Sequence, residues 1–542
     1  LAGGDWLFVT PPSGATPSPA AAPVVQVSVK TAGLAPGTYF GLVTVRSPQA
    51  DNTPQSSVIV LNVLPAGTPP IAQVNPQGLI VTAPPDRAPN PPTVTISNIS
   101  ARTISYSSTL GFADRRSWFS LNPATGNIPP GESRSVQIVP LIGGIPVGQY
   151  RGQINFRITP DNVTRTVDLI LVVHPLSASA PAKGASLQAI GCVAEKISTL
   201  FRTPGPNFST TAGWPTSVEV QAVNNCGEAI TNGSVTVSFS TNDPVLPLQS
   251  LGNGRWSAAW TARTARASGV LLTARVENNA PRMTAQAQVT GGVSTNLDQP
   301  VINREGVLSF FTQKKETPIA VGTLVSVFGT RISTESTTAE TSKPLPLQLG
   351  ETRAFVSGQP LPLRETSPGR LDAFLPLGIA QNTRHQVIVQ RGRSYSPPEE
   401  LLITTSSPLV LTRENFGTIL PLISKVVPDD NPVPVDASRP VKAGDFIHIF
   451  CSGLGPILGS LPPGEAATLG SRLAVAGIVK VEIEDLNATV SEAILAPGEV
   501  GVYRVTVQVP EGIADTVAAR VIVSVNGVES NLVTIPVSSP VE

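Results

Sequence analysis

Short apolar runs rich in Val, Ile and Thr recur along the whole chain, and clusters of Pro, Gly, Asn and Ser separate them. Many runs alternate apolar with polar residues, which gives a β-strand one buried face. No helical periodicity of useful length interrupts this pattern. The sequence therefore predicts an all-β chain, and its 542 residues leave room for about four or five domains.

The C-terminal half contains one pattern twice. Residues 441–455 predict a turn at Gly444, a strand and a Gly-rich exit, and residues 321–330 repeat this pattern. Two further landmarks follow in the same order after each copy: 371–376 and 387–392 after the first, 505–510 and 521–527 after the second. Landmarks that recur in order indicate a duplicated β module. We assign its copies to residues 301–412 and 413–542.

The N-terminal part also contains a repeat. A Trp precedes a Gly by the same spacing in 6–14 and 118–126, and LAPGTY at 34–39 matches IPVGQY at 145–150. Tyr39 and Tyr150 thus recur after a Gly turn, which predicts packing at a strand corner. We assign two homologous modules to residues 1–66 and 67–177.

The two N-terminal modules differ at their beginnings. The second has a long lead-in, 71–111, whereas the first begins almost at its Trp. Without opening strands, a sandwich exposes part of its core and an unpaired edge. Two explanations remain open: the chain was cut here, or another chain supplies the strands by β-augmentation.

Residues 176–186 and 291–300 are rich in small residues and Pro, and we predict that they are linkers. Between them lies a different module, 187–291. Its alternating apolar and polar runs predict strands at 217–223, 234–240, 256–260 and 270–276. The complete prediction is five tandem immunoglobulin-like β-sandwiches in a semi-extended array.

Charge and hydropathy give no support for nucleic acid or a membrane as a partner. Lys plus Arg equal Asp plus Glu at 37 each, so no net charge favours nucleic acid or an anionic membrane surface. No apolar run approaches the ~20 residues that span a bilayer.

The chain starts at Leu1 without Met or a signal peptide, and we expect a mature secreted protein.

Several motifs resemble known modules. The paired Trp–Gly and LAPGTY stretches resemble BACON-like modules, which are immunoglobulin-like sandwiches. The C-terminal half resembles the C-terminal region of large secreted proteins from Solibacter-type Acidobacteria, through 322–329 with 344–350 and 444–455 with 496–503. The middle module, with Cys192 and Asn225-Cys-Gly, is similar to the immunoglobulin-like module that often precedes that region. The resemblance implies a secreted multi-module protein and no particular activity. Cys451, where the first copy has Gly329, departs from it.

The three cysteines limit the possible crosslinks. Cys192 and Cys226 fall in one module and would pair in an oxidising compartment, which we predict; the alternative is two buried thiols. Closing that loop would stabilise the module by roughly 3–4 kcal/mol. Cys451 lies in an apolar strand, where an inert buried thiol is the default and an intermolecular disulfide the alternative.

No catalytic constellation is visible. His174, His385 and His448 fall in three different modules, without zinc-ligand spacing around any of them. Neither a Gly-x-Ser-x-Gly elbow nor a Walker loop occurs. We therefore predict no catalytic, cofactor or metal site, and a protein that is not an enzyme.

Trp256 and Trp260 lie four residues apart on one predicted strand, hence on one face and roughly 13 Å apart. Exposed, they could stack on a polysaccharide; buried, they are core. Ala258 between them suits close packing, which favours the core.

The sequence thus predicts an extracellular structural protein, a cell-surface stalk or filament subunit that associates with itself or with cell-surface components. In the filament version the open first module accepts strands from a neighbour, or an end strand such as 531–537 is donated. One alternative is an adhesin that binds carbohydrate or another surface ligand. Another is the accessory region of a larger secreted enzyme.

Overall fold

The computed structural model describes residues 5–15, 25–64, 72–160, 162–175, 192–241, 243–297, 299–315, 317–340, 344–412, 422–426 and 433–538. These residues form 42 strands and no helix, so the predicted all-β class is confirmed. The chain divides into two compact units. One comprises Leu1–Val29, Phe40–Ile59 and Leu297–Glu542, and the other Lys30–Tyr39 and Val60–Asn296.

The N-terminal region has four strands, which pair two by two, β1 with β2 and β3 with β4. Their bounds are β1 Leu7–Thr10, β2 Gln26–Val29, β3 Gly37–Val45 and β4 Gln55–Val63. In both N-terminal repeats a Tyr hydroxyl donates to the carbonyl four residues earlier, Tyr39 to Ala35 and Tyr150 to Pro146. The predicted strand-corner role of the two tyrosines is therefore confirmed.

The second sandwich has a five-stranded sheet, in the order β10-β8-β12-β13-β6, and a four-stranded sheet, β5-β7-β11-β9. Its apolar residues alternate along the strands and meet between the sheets in one core around Trp118. The strands are β5 Ala72–Asn75, β6 Gly78–Ala83, β7 Thr93–Asn98, β8 Ile104–Phe112, β9 Phe119–Asn122, β10 Thr125–Ile128, β11 Ser133–Pro140, β12 Gly148–Thr159 and β13 Val163–Val173.

The third sandwich is built from eight strands, in the order β14-β16-β19-β18-β17-β20-β21-β15. They are β14 Ile197–Thr203, β15 Phe208–Thr211, β16 Pro215–Asn224, β17 Gly233–Phe239, β18 Leu246–Gly252, β19 Arg255–Thr261, β20 Arg266–Asn279 and β21 Arg282–Ser294. The linker predicted at 291–300 is wrong at its start, because residues 291–294 pair with β15 and β20. The linker predicted at 176–186 lies outside the described residues.

The fourth and fifth sandwiches are the two copies of the C-terminal pattern. The fourth contains β22 Val301–Ser309, β23 Ile319–Ala320, β24 Leu324–Thr330, β25 Thr337–Thr338, β26 Thr352–Val356, β27 Gln359–Pro360, β28 Leu363–Ser367, β29 Arg370–Phe374, β30 Thr383–Arg391, β31 Ser394–Tyr395 and β32 Glu399–Thr404. The fifth contains β33 Leu409–Val410, β34 Ile423–Lys425, β35 Val433–Pro434, β36 Phe446–Ser452, β37 Val479–Ile483, β38 Leu486–Leu495, β39 Tyr503–Gln508, β40 Thr516–Val525, β41 Val528–Glu529 and β42 Val533–Val537.

The landmarks occupy equivalent places in both copies. The first landmark pairs with the second in each, β24 with β29 and β36 with β39. The third landmark lies in β30 and β40, which pair with β26 and β32 in one copy and with β37 and β42 in the other. One boundary is shifted: β33, assigned from the sequence to the first copy, pairs with β36 of the second.

Neighbouring sandwiches within each unit are in direct contact. In the unit that contains Val60–Asn296, Ile80 and Ile170 of the second sandwich pack against Leu200 and Val223 of the third. In the other unit, a Cβ on Gly322 of the fourth sandwich would lie 2.3 Å from the Tyr503 hydroxyl of the fifth. Direct packing, and not only the connecting chain, therefore joins these sandwiches.

Candidate functional site

The first module matches one half of the second, strand by strand. Trp6 precedes β1 as Trp118 precedes β9. β1 pairs with β2 in the register Val9↔Val27, and β9 pairs with β11 in the register Leu121↔Ile138. In the same way β3 and β4 match β12 and β13. Val27 is therefore the counterpart of Ile138, and Val25 of Val136.

The half-core around the Trp is present in both modules. Trp6 is buried, as is Trp118. A Cβ on Gly41 would lie 3.2 Å from the Trp6 ring, and one on Gly152 would lie 2.9 Å from the Trp118 ring. Each Trp therefore packs against a strand that only Gly allows so close, which explains why the pair recurs.

The other half of the first module is open. Val25 and Val27 are 42% and 41% exposed, whereas their counterparts Val136 and Ile138 are fully buried at 0%. In the second module β7 pairs with β11 and completes that sheet. Among the described residues of the first module no strand takes the place of β7, so β2 presents apolar side chains and an unpaired edge.

The end strand predicted as a donor is not available. β42, within the predicted segment 531–537, pairs with β40. Its residues Ile535 and Val537 are buried in the core of the fifth sandwich. Donating β42 would open that core, so this version of strand exchange is wrong.

The structure confirms the favoured prediction that Trp256 and Trp260 are core residues and not a ligand platform. Trp256 and Trp260 are 5% and 3% exposed and belong to the core of the third sandwich. The Trp256 indole N–H donates to the Ile230 carbonyl at 3.0 Å, and Trp260 donates to Asp243 at 3.1 Å. Buried indoles with satisfied N–H groups cannot stack on a polysaccharide, so the adhesin hypothesis loses the residues on which it depended.

The predicted disulfide between Cys192 and Cys226 is confirmed. It joins the segment before β14 to the turn after β16.

Cys451 lies on β36 and is fully buried, and burial raises the pKa of its thiol. A buried, protonated thiol is a poor nucleophile, so an intermolecular disulfide at Cys451 is excluded in this fold.

The three histidines bond to backbone or hydroxyl groups in three different sandwiches. His385 is buried and its ring lies 2.5 Å from the Ser357 hydroxyl and 2.7 Å from the Ala380 carbonyl. The contact with Ser357 links the β26–β27 turn to β30, on which His385 lies. His448 contacts the Thr506 hydroxyl at 2.9 Å, and His174 contacts the Pro175 carbonyl at 2.9 Å.

Within the described ranges, no three His, Cys, Asp or Glu side chains are grouped as metal ligands. The same residues contain no helix long and apolar enough to cross a membrane.

A feature that sequence reasoning missed is the role of the Gly-rich landmarks in the fourth and fifth sandwiches. The Thr323 hydroxyl lies 2.6 Å from that of Ser452, and the Tyr503 hydroxyl donates to the Gly455 carbonyl at 2.5 Å. The first landmarks of the two copies therefore meet at one joint. The signal in the sequence was the glycines themselves, because Gly322 and Gly455 adopt positive φ in the structure. A glycine does not specify what the turn contacts.

No family model matches the chain, and no curated protein matches it. Solved structures that match part of the chain include the periplasmic chaperone SfaE, at 12% identity and a TM-score of 0.20, covering 42% of this chain and 100% of that chain. The Pseudomonas aeruginosa CupB2 chaperone matches at 14% identity and a TM-score of 0.19, covering 41% of this chain and 100% of that chain. The Acinetobacter baumannii CsuC–CsuE chaperone–tip adhesion subunit complex matches at 9% identity and a TM-score of 0.20, covering 42% of this chain and 99% of that chain.

Proposed function

We propose that this chain is a non-enzymatic extracellular structural protein, a cell-surface stalk or filament subunit, in which a β-strand from a neighbouring polypeptide completes the first module. The observation that supports it is the exposure of Val25 and Val27, whose counterparts in the second module are fully buried. The disulfide suits an oxidising compartment. Tandem immunoglobulin-like sandwiches are compatible with a surface structural or adhesin-like role.

The homologous module defines the strand that fits. β7 is antiparallel to β11 and places Val94 and Ile96 in the core. An incoming strand would bond to the edge of β2 and cover its valines in the same way. Burying the exposed fractions of Val25 and Val27 would contribute roughly 1–2 kcal/mol, before any main-chain hydrogen bonds are counted.

The test uses the natural secreted protein, including any residues that precede Leu1. Light scattering over a wide concentration range is run beside negative-stain electron microscopy. Regular fibres with an axial repeat are expected, and Val27→Lys should abolish them because it places a charge on the face to be covered. Val517→Lys is the matched control, since Val517 is 87% exposed on the fifth sandwich.

A monodisperse monomer at every concentration would contradict the filament version. If the protein is such a monomer and β2 is nevertheless protected from hydrogen exchange, a strand of the same polypeptide closes the module. Only the stalk interpretation would then remain.

A further inference from the structure

A cleft of about 700 Å³ lies between the second and third sandwiches, within one compact unit. Its floor is the outer face of the five-stranded sheet, where Gly111, Gln153 and Asp168 form a row across β8, β12 and β13. Its other wall comes from β14 and β21 of the third sandwich, with Gln286 and Gln288 exposed to the cleft. Ligand sites in proteins have this size and occur preferentially at junctions between domains.

The polar groups on the floor are held in one chain of hydrogen bonds. The Thr166 hydroxyl donates to Asn155 at 2.8 Å, Asn155 donates to Gln153 at 3.3 Å, and Gln153 donates to Asp168 at 3.1 Å. Each bond fixes the orientation of the next amide, so the chain ends on a carboxylate with a defined position. Side chains fixed in this way lose little freedom when they bind a ligand.

Asp168 retains acceptor capacity. Its side chain is partly withdrawn from water, and this desolvation raises the pKa of the carboxyl group, while Arg151 and the Gln153 bond oppose the rise. A carboxylate has about four acceptor sites, and Gln153 occupies one of them. Hydroxyl groups of a ligand could fill the others and compensate for the lost water.

The floor is open because of a glycine. A Cβ on Gly111 would have Gln153 as its nearest neighbour, at 3.8 Å, so that position has space above the sheet. Pro206 lines the cleft beside it and offers apolar surface, whereas the Phe112 ring packs on Trp118 and Phe119 in the core. The cleft thus combines amides, one carboxylate and one guanidinium with a smaller apolar contact area.

The two walls are fixed relative to each other. The Gln221 side chain accepts from the Ile80 backbone N–H at 3.1 Å and donates to its carbonyl at 3.4 Å. The Gly205 N–H donates to the Gln77 side chain at 2.6 Å. Bonds between the sandwiches on this scale hold the cleft at a constant width, so its shape exists before a ligand arrives.

We infer that this cleft binds a neutral polyhydroxylated ligand, a short stretch of polysaccharide. Amide side chains donate and accept hydrogen bonds, as sugar hydroxyls do. An anionic ligand would be repelled by Asp168 and a cationic one by Arg151, whereas a neutral ligand bonds to both. This site is distinct from the proposed strand-accepting edge of β2.

The test is affinity electrophoresis of the full chain in gels that contain a soluble β-glucan, xylan, mannan or starch. At least one polysaccharide is expected to retard the protein. Gly111→Trp should weaken that binding at least tenfold, because the indole fills the floor. Gly143→Trp is the matched control, since a side chain at this exposed glycine of the same sandwich meets no atom within 4 Å. Gln153→Ala, which keeps the backbone unchanged, should also weaken binding.

Three results would overturn the inference: no retardation by any of the four polysaccharides, equal binding by the two Trp variants, or binding of an extended peptide that Gly111→Trp abolishes. Val27→Lys should leave binding intact. Loss of fibres and loss of polysaccharide binding are therefore separate outcomes.

Discussion

Substituting Trp260 tests whether the tryptophans of the third sandwich are core residues or a ligand platform. Its indole ring stacks on Phe239, with centroids 4.7 Å apart and planes inclined by 18°, and packs edge-on against Phe208 at 6.1 Å. Its N–H donates to Asp243 at 3.1 Å. Trp260→Ala removes all three contacts and leaves a cavity between the sheets.

The expected loss is large. Truncating a buried Trp to Ala costs about 3–5 kcal/mol of unfolding free energy, and Asp243 also loses a hydrogen-bond donor. Trp260→Phe keeps an aromatic ring on Phe239 but removes the N–H, and we expect it to cost about 1–3 kcal/mol. Trp214→Ala is the control in the same sandwich, since Trp214 is only half-buried, and its loss should be smaller.

The measurement is hydrogen exchange of the full chain, read on peptides that cover β16 and β19, because a chain with several sandwiches does not unfold in two states. Protection of these strands should fall strongly in Trp260→Ala and less in Trp214→Ala. Unchanged protection in Trp260→Ala, together with lost polysaccharide binding, would refute the core assignment and restore the platform.

Three further predictions concern other sites. Replacing Cys192 and Cys226 by Ser should destabilise the third sandwich by roughly 4 kcal/mol, read from hydrogen exchange of the peptides of that sandwich, because the bond closes a loop with a separation of 34 residues. Reducing the disulfide of the wild-type protein should lower protection equally, and unchanged protection would contradict this. Tyr503→Phe should cost the fifth sandwich about 1–3 kcal/mol in the same assay, because the buried Gly455 carbonyl loses its donor; a neutral result would mean that water replaces the hydroxyl. Asp168→Asn should raise thermal stability at pH 7, because desolvation raises the pKa of this carboxyl. Its gain should vanish below about pH 3.8, where the carboxyl is protonated in both states, and a gain that persists there would refute this cause.

Much of the fold was predictable because strand periodicity and repeated landmarks are local signals. The alternation in 256–260 predicted β19 and placed both tryptophans on one face. The recurrence of 321–330 at 441–455 predicted equivalent strands, which became β24 and β36. The cysteine pair was predictable because two thiols in one oxidised module have few other partners.

The candidate sites were less predictable. Whether Trp260 faces water or core depends on Phe239 and Asp243, which come from other parts of the chain. The availability of 531–537 as a donor depends on its pairing with β40. The apolar and polar pattern around Trp260 or around 531–537 does not show which residues from elsewhere in the chain will contact them.

By itself, the sequence determined the strand content, the two internal repeats and the disulfide, because each follows from residues close together or from recurring patterns. Only the tertiary structure decided that the Gly-rich landmarks form a joint, that Val27 lies open where Ile138 is buried, and that Gln153 and Asp168 face β21 across a cleft. Those features arise where two sheets or two sandwiches meet. Period-two alternation specifies which face of a strand is apolar, but it does not specify what covers that face.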